Sequence, residues 1–420
     1  MQWSAGIETT VSSRSGVLHN GSAWRMDTPA VSNGVAMLFS PGYGAGPDTA
    51  ALTAPTRKLH DSLIAAGYTL CGATYPRAGW TVADGLAQQA ELAISIRTSD
   101  PALSTVIGWG HSMGGLVTAG LLEARRPTID GAVTLCGSLA GPVAMLNQAF
   151  DAAFVLQVLV AHAESALALG TPDDLRAAAA ARALQTAATT EEGRARIALG
   201  AAVGQLPRWA VVGSRRPDVD DYDAQAAQQR EVYVRSAFAP RGDIESLVGG
   251  NPSGNDGVDY AAQLAASGCD DMVHAMYARS SADLDDDLNR LNDAPRVQAD
   301  PAAVFRLCEM LTPSGAISGP IAALWCTGDV APTVSQATAF ADAVDSAGCS
   351  GRLRQFFSDR PGHLPSDAET IVAIESVVER LRDGEWPDAA RGSSAATLDD
   401  VRFVDLAPAP FLRPDRGGVS

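Results

Sequence analysis

Ser112 is the residue in this chain whose surroundings point most directly to chemistry. It lies in Gly108-Trp109-Gly110-His111-Ser112-Met113-Gly114-Gly115, entered by a strand-like run from Ser104 to Trp109 and left by a helix-like run from Leu116 to Ala124. A chain passing from strand to helix within so few residues must reverse sharply at the serine. Gly110 and Gly114, two residues either side, remove the side chains that would crowd that turn. With 40 glycines in the chain the pattern alone arises easily by chance, so the strand-turn-helix setting gives it meaning. A serine hydroxyl is a poor nucleophile until an imidazole takes its proton and a carboxylate orients that imidazole. Among the six histidines, His363 is the best placed base, because Ser358-Asp359-Arg360-Pro361-Gly362-His363 is a polar turn directly after a strand. His60 and His162 fall in helical patterns, His19 in a hairpin turn and His274 in a helical block; His111 is expected to point away from Ser112. For the acid, Asp329 runs off the strand ending Trp325-Cys326-Thr327-Gly328 and leads, with Asp359 as its competitor.

Strands and helices must alternate to bring these turns to one edge. Apolar runs predict strands at Val35 to Ser40, Tyr68 to Thr74, Ser104 to Trp109 and Ala132 to Cys136. Helices are expected between them at Thr49 to Ala66, Ala83 to Thr98 and Leu116 to Ala124. This is the rhythm of a mostly parallel sheet flanked by helices, an α/β fold. Around His19-Asn20-Gly21, Ile7 to Met26 reads as an antiparallel hairpin at the sheet edge. The rhythm then gives way to alanine-rich, charged helical patterns at Val143 to Leu169, Asp173 to Ala187, Glu191 to Gly204, Asp223 to Phe238, Val258 to Ala278 and Ala302 to Leu311. It resumes with strands at Ile321 to Thr327 and Arg352 to Phe357 and helices at Val334 to Ala347 and Asp367 to Arg382. The implied organisation is a discontinuous core of residues 1–140 and 317–390, a helical cap at 141–316 and an extended tail at 391–420, punctuated by Ala407-Pro408-Ala409-Pro410 and laid over the surface.

The elbow Gly110-His111-Ser112-Met113-Gly114, followed by Asp329 and then His363, resembles the α/β-hydrolase superfamily in the order nucleophile, acid, base. The resemblance covers Val35 to Cys136 and Ile321 to Arg382, and implies the α/β-hydrolase fold with a large helical cap insertion. It implies that the backbone N–H groups of Met113 and Tyr43 form the oxyanion hole, Tyr43 lying in Ser40-Pro41-Gly42-Tyr43-Gly44. Family members usually carry His-Gly where this chain has Pro41-Gly42, which puts the hydrogen-bond support of that loop in question. Gly67 to Tyr75, Gly79-Trp80 and Gly249-Gly250-Asn251-Pro252-Ser253 look like a group of large-cap bacterial hydrolases. Trp80 and His111 are the candidates for the pocket wall, and Met145, Phe150, Phe154, Trp209 and Tyr260 are cap residues of the kind that could line it.

The chain carries 31 basic and 48 acidic residues, a formal charge of −17, which opposes nonspecific binding to nucleic acid or an anionic membrane. The six cysteines show no CxxC pair or His/Cys ligand cluster, so no metal and no cofactor is expected. Cys71, Cys136 and Cys326 sit in apolar runs as buried thiols, while Cys269 and Cys308 flank a helical region and could form a bridge. No run is expected to span a membrane. Met1 to Ser4 does not begin an export signal, so a cytoplasmic location is expected as written, with a mature secreted form equally compatible. The reading that follows is a serine hydrolase cleaving a carboxylic ester of a small to medium, largely apolar small molecule through an acyl-enzyme. An acyltransferase, thioesterase or amidase would use the same triad, and a noncatalytic binding protein of this fold remains a separate class. Enzymes of the family with aspartate at the elbow, epoxide hydrolases and haloalkane dehalogenases, are disfavoured by Ser112.

Overall fold

The computed structural model describes residues 11–46, 52–161, 167–238, 241–387 and 400–413. Among them, nine strands form one sheet: β1 Val11–Val17, β2 Ala23–Pro29, β3 Val35–Ser40, β4 Thr69–Ala73, β5 Thr105–His111, β6 Gly131–Leu135, β7 Ile321–Gly328, β8 Leu353–Pro361 and β9 Phe403–Val404. Their order is β1-β2-β4-β3-β5-β6-β7-β8-β9. β3 to β8 are parallel, and antiparallel strands lie only at the two edges. Helices α1 (Arg57–Ala65), α2 (Val82–Ser99) and α3 (Met113–Glu123) cross between the first parallel strands, while α13 (Gln336–Ser346) and α14 (Asp367–Asp383) serve the last.

The central strands alternate strictly between two apolar cores, as a pleated strand with both faces covered must. Met37, Phe39, Ile107, Trp109, Val133, Leu135, Ala322 and Leu324 pack against α1 and α14. Ala36, Leu38, Val106, Ala132, Ile321, Ala323 and Trp325 pack against α2, α3 and α13. The chain leaves β3 toward β4 on one side and returns from β4 to β5 on the other. The carboxyl ends of β3 and β5 therefore open a crevice at the point where strand order reverses, the place where open α/β sheets bind ligands. Ser112 stands at the end of β5.

Nine helices are described between β6 and β7. They are α4 (Pro142–Leu159), α5 (Asp173–Ala187), α6 (Glu191–Val203), α7 (Tyr222–Ala237), α8 (Gly242–Val248), α9 (Tyr260–Ala266), α10 (Asp270–Ala278), α11 (Leu284–Asp293) and α12 (Pro301–Met310). α4 and α6 form their spine: Phe150, Phe154, Leu159, Leu199 and Val203 face one apolar cluster, Leu156, Ile197 and Ala201 another. A further cluster welds this unit to the sheet domain, joining Tyr75, Trp80, Met113 and Val117 to Leu146, Ile244, Val248 and Leu307.

The structure corrects several sequence expectations. The first helix starts at Arg57 rather than Thr49, because Pro55 disfavours helical geometry before it and Thr56 caps the helix by accepting from the Leu59 N–H at 3.0 Å; residues 49–51 lie outside the described residues. The run from Val258 to Ala278 is two helices, broken at Gly268 with φ +76. The run from Val143 ends at Leu159, and residues 162–166, with His162, lie outside the described residues. α8 and α11 are not anticipated from the sequence. Cys269 and Cys308 do not pair, since they sit in separate clusters, Cys269 with the α4/α6 spine and Cys308 at the junction with the sheet domain. α4 is long and apolar enough to cross a membrane by length and composition, with a mean hydropathy of 1.3, yet 72% of that window is buried inside the protein.

The tail is more than an extended surface segment. β9 pairs antiparallel with β8, Phe357 opposite Val404. Farther on, Phe411 is buried beside Ala140, Ala144 and Ala339. The Gln205 side chain donates to the Pro410 carbonyl at 2.9 Å, and Arg413 pairs with the fully buried Asp151 of α4. The tail thus starts on the sheet edge and finishes inside the helical insertion. Residues 391–399 and 414–420 of the expected tail, residues 388–390 before it, and residues 7–10 of the expected N-terminal hairpin lie outside the described residues.

Candidate active site

The turn from β5 into α3 is strained at one residue. Ser112 has φ 59 and ψ −123, a conformation that costs a non-glycine residue on the order of 1–3 kcal/mol. Backbone hydrogen bonds hold it there. Its N–H donates to Leu135 O at 3.0 Å, and its carbonyl accepts from Gly115 N at 2.9 Å. The flanking glycines are obligatory on steric grounds. A Cβ at Gly110 would stand 2.2 Å from Gly114 O, and one at Gly114 would stand 2.0 Å from Ser40 O.

His363 and Asp329 come from the turns after β8 and β7. Asp329 is 1% exposed. One of its carboxylate oxygens accepts from the Ala331 N–H at 3.0 Å, and the other lies 2.6 Å from His363 Nδ1. With both oxygens engaged, the carboxylate is fixed toward the ring and holds the proton on Nδ1, leaving Nε2 to act as a base. Asp359 is engaged elsewhere, by Arg216 and by the Thr327 hydroxyl at 3.3 Å. Cys136 lies close by, its sulfur and the Asp329 and His363 donor atoms falling within 4.8 Å of one another. That trio is a poor metal cradle, because Asp329 and His363 already bond each other and burial, with the adjacent Cys326, pushes the Cys136 thiol up.

His111 turns toward the His363 turn. Its Nε2 lies 2.6 Å from the backbone carbonyl of His363, so that nitrogen carries the proton and donates. The two rings are 4.4 Å apart, centroid to centroid. Burial, with His363 as a smaller contribution, lowers the His111 pKa to about 4, so this ring is neutral at neutral pH. Sequence reasoning missed this brace because it joins residues 252 positions apart; only the proximity of the β5 and β8 turns reveals it.

The loop after β3 runs alongside the serine. A Cβ at Gly42 would lie 3.4 Å from Ser112 Cβ. The support absent from Pro41 is supplied by Tyr75, whose buried hydroxyl donates to the Pro41 carbonyl at 3.1 Å. Burial and the nearby Asp243 carboxylate raise the Tyr43 phenol. Met113 is the first residue of α3, where backbone N–H groups lack intrahelical acceptors and attract negative charge.

Ser112, His363, His111, Tyr43, Met113 and Trp80 all line one cavity of about 580 Å³ between the sheet and the helical insertion. Of the insertion residues singled out in the sequence, Met145 lines it. Phe150, Phe154 and Tyr260 pack within the insertion's own core, and the Trp209 indole bonds Ser214. Arg235, Arg241 and Gln148 also line the cavity, and no local pattern in the sequence marks them.

No protein-family model matches the chain. Over 340 residues it is 28% identical to an o-phthalyl amidase of Xanthobacter agilis, a match covering 72% of this chain and 74% of that protein. Solved structures similar to it include a Pyrococcus furiosus esterase, with a TM-score of 0.41 and 10% identity over 90% of this chain and 92% of the other. Feruloyl esterase B from Aspergillus oryzae has a TM-score of 0.41 and 12% identity, covering 90% and 83%. The strand order, with a strained serine turn where it reverses, is the α/β-hydrolase fold expected from the sequence.

Proposed function

We propose that the protein is a serine hydrolase that cleaves a carboxylic ester or amide through an acyl-enzyme on Ser112. The observation that carries this reading is the 2.6 Å contact between His363 Nδ1 and the buried Asp329 carboxylate, in the cavity into which the strained Ser112 turn opens. In this mechanism His363 Nε2 takes the hydroxyl proton as Ser112 Oγ bonds to the substrate carbonyl carbon. The N–H groups of Met113 and Tyr43 stabilise the oxyanion. The imidazolium then returns the proton to the departing alcohol or amine, and water, activated by the same ring, releases the acid and restores Ser112. The helical insertion acts as a lid, its apolar inner wall receiving a small to medium substrate and excluding water from the oxyanion contacts.

An ester is the simplest substrate for such a site. Amides enter the proposal because the curated relative is named an amidase. The test is a fluorophosphonate, which should form one adduct at Ser112, together with 4-nitrophenyl esters and 4-nitroanilides assayed with Ser112→Ala. Activity should fall by about three orders of magnitude or more in that variant. Full labelling of Ser112→Ala would overturn the assignment, and turnover confined to one panel would separate esterase from amidase.

A further inference from the structure

The cavity over Ser112 carries the opposite charge balance to the chain. The protein has a formal charge of −17, yet the described lining includes two arginines, Arg235 and Arg241, and no aspartate or glutamate. The two arginines are not equivalent. Arg241 is buried and committed: its Nε pairs with Glu245 at 2.6 Å, and one terminal nitrogen donates to Asn251 and Ser253 at 3.0 Å each. It is neutralised in place and serves the loop between α8 and α9. Arg235, in the last turn of α7, is exposed at the cavity and pairs with no acid, carbonyl or ring among the described residues.

Position adds to charge. Ser112, Met113 and His363 come to the cavity from the sheet domain and Arg235 from the helical insertion, with Trp80, Leu146 and Ile244 also lining it. A ligand that meets both Ser112 and Arg235 carries a reacting carbonyl and an anionic group joined by an apolar body. Guanidinium pairs with carboxylate through two parallel N–H donors, so it reads that group by shape as well as charge. A local cation is also what an anionic substrate needs to enter a strongly acidic protein against its long-range field.

We infer that Arg235 selects substrates bearing a second, ionised carboxylate, so that the natural substrate is a half-ester or half-amide of a dicarboxylic acid. This rests on the hydrolase reading for the identity of the scissile bond, but the anion site can be tested without turnover. The probe is 5-oxo-5-phenylpentanoate, in which a ketone replaces the scissile group, compared by calorimetry with its uncharged primary amide. Wild-type protein should bind the carboxylate about tenfold more tightly, equivalent to about 1.4 kcal/mol. Raising salt from about 0.02 M to about 0.5 M should shrink that ratio by screening. Arg235→Gln should bring the ratio near one, and Arg235→Lys should keep part of it, with unchanged melting showing that each variant is folded. A wild-type ratio near one, or a full ratio surviving in Arg235→Gln, overturns the inference. Fluorophosphonate labelling of Ser112 with no discrimination between the two ketones would sink the anion site alone. Discrimination without labelling would leave the anion site standing and sink the hydrolase reading.

Discussion

Replacing Arg413 isolates the contact by which the tail reaches into the helical insertion. Its guanidinium meets Asp151, which is fully buried, and its other arm donates to Gly254 O at 2.7 Å. Burial holds the Asp151 carboxyl above its ordinary range, opposed by Arg413, by the Gln263 amide at 3.3 Å and by the Tyr260 hydroxyl at 3.2 Å. In Arg413→Ala the two neutral donors remain and the charge does not. Breaking a buried pair in this way costs about 3–5 kcal/mol. Proton uptake sets a ceiling: protonating a carboxyl of ordinary pKa about 3.9 costs about 1.4 kcal/mol per pH unit, hence about 5 kcal/mol at pH 7.5 and about 2 kcal/mol at pH 5.5. The sign follows from linkage. In the variant the folded state binds a proton that the unfolded state has released, so its stability deficit grows as pH rises above about 4. Denaturant titrations at the two pH values should show a loss of about 3–5 kcal/mol at pH 7.5 and no more than about 2 at pH 5.5. Asp151→Asn in the same chain should recover most of the loss. A deficit under about 1 kcal/mol at pH 7.5, one independent of pH, or one untouched by Asp151→Asn would refute the reasoning.

Asp329→Asn should lower kcat by about 10³- to 10⁴-fold, because the amide no longer holds the His363 proton on Nδ1. Asp359→Asn, which loses its charge pair with Arg216 and can still accept from the Thr327 hydroxyl, should stay within about tenfold; steady-state kinetics on one ester decide, and the reverse ranking would reassign the acid. Gly114→Ala should fail to fold or lose several kcal/mol, since its Cβ meets the Ser40 carbonyl, whereas Gly351→Ala, with open space around it, should melt like the wild type. Because His111 is held neutral, the unfolded chain binds its proton first as pH falls from about 6.5 toward 4; that contribution to stability is complete above about 6.5 and lost toward 4. His111→Gln should therefore flatten the pH dependence of melting across that window, and an unchanged slope would count against the brace.

The parallel strands were legible in the sequence because each is a short apolar run with both faces covered, and the elbow because its glycines are demanded by contacts under 2.5 Å. His363 and Asp329 could be singled out because each follows a strand in sequence. The elements that escaped lack such signatures. α8 is seven residues long, and α11 opens on a run of aspartates that reads as a solvated loop until Asp283 is seen to cap it, accepting from the Asp286 N–H at 3.0 Å. β9 is two residues whose only strand character comes from the edge of β8. The His111 brace and the Arg235 position depend on chain segments far apart in sequence, which no local window holds.

The insertion also governs how the molecule can be assembled. β6 and β7 are neighbours in the sheet, Leu135 opposite Leu324, yet everything from α4 to α12 lies between them. For an unfolded connection of that length, closing the gap is entropically expensive and slow to find. Once α12 has packed against α4, the ends of the insertion are close, and the search for β7 is reduced to a short reach. During synthesis β1 to β6 emerge as a half-sheet whose β6 edge has no partner until β7 arrives, and an unpaired edge of that kind is an aggregation hazard. The time the insertion takes to close therefore bounds how long the β6 edge of the nascent sheet stays exposed.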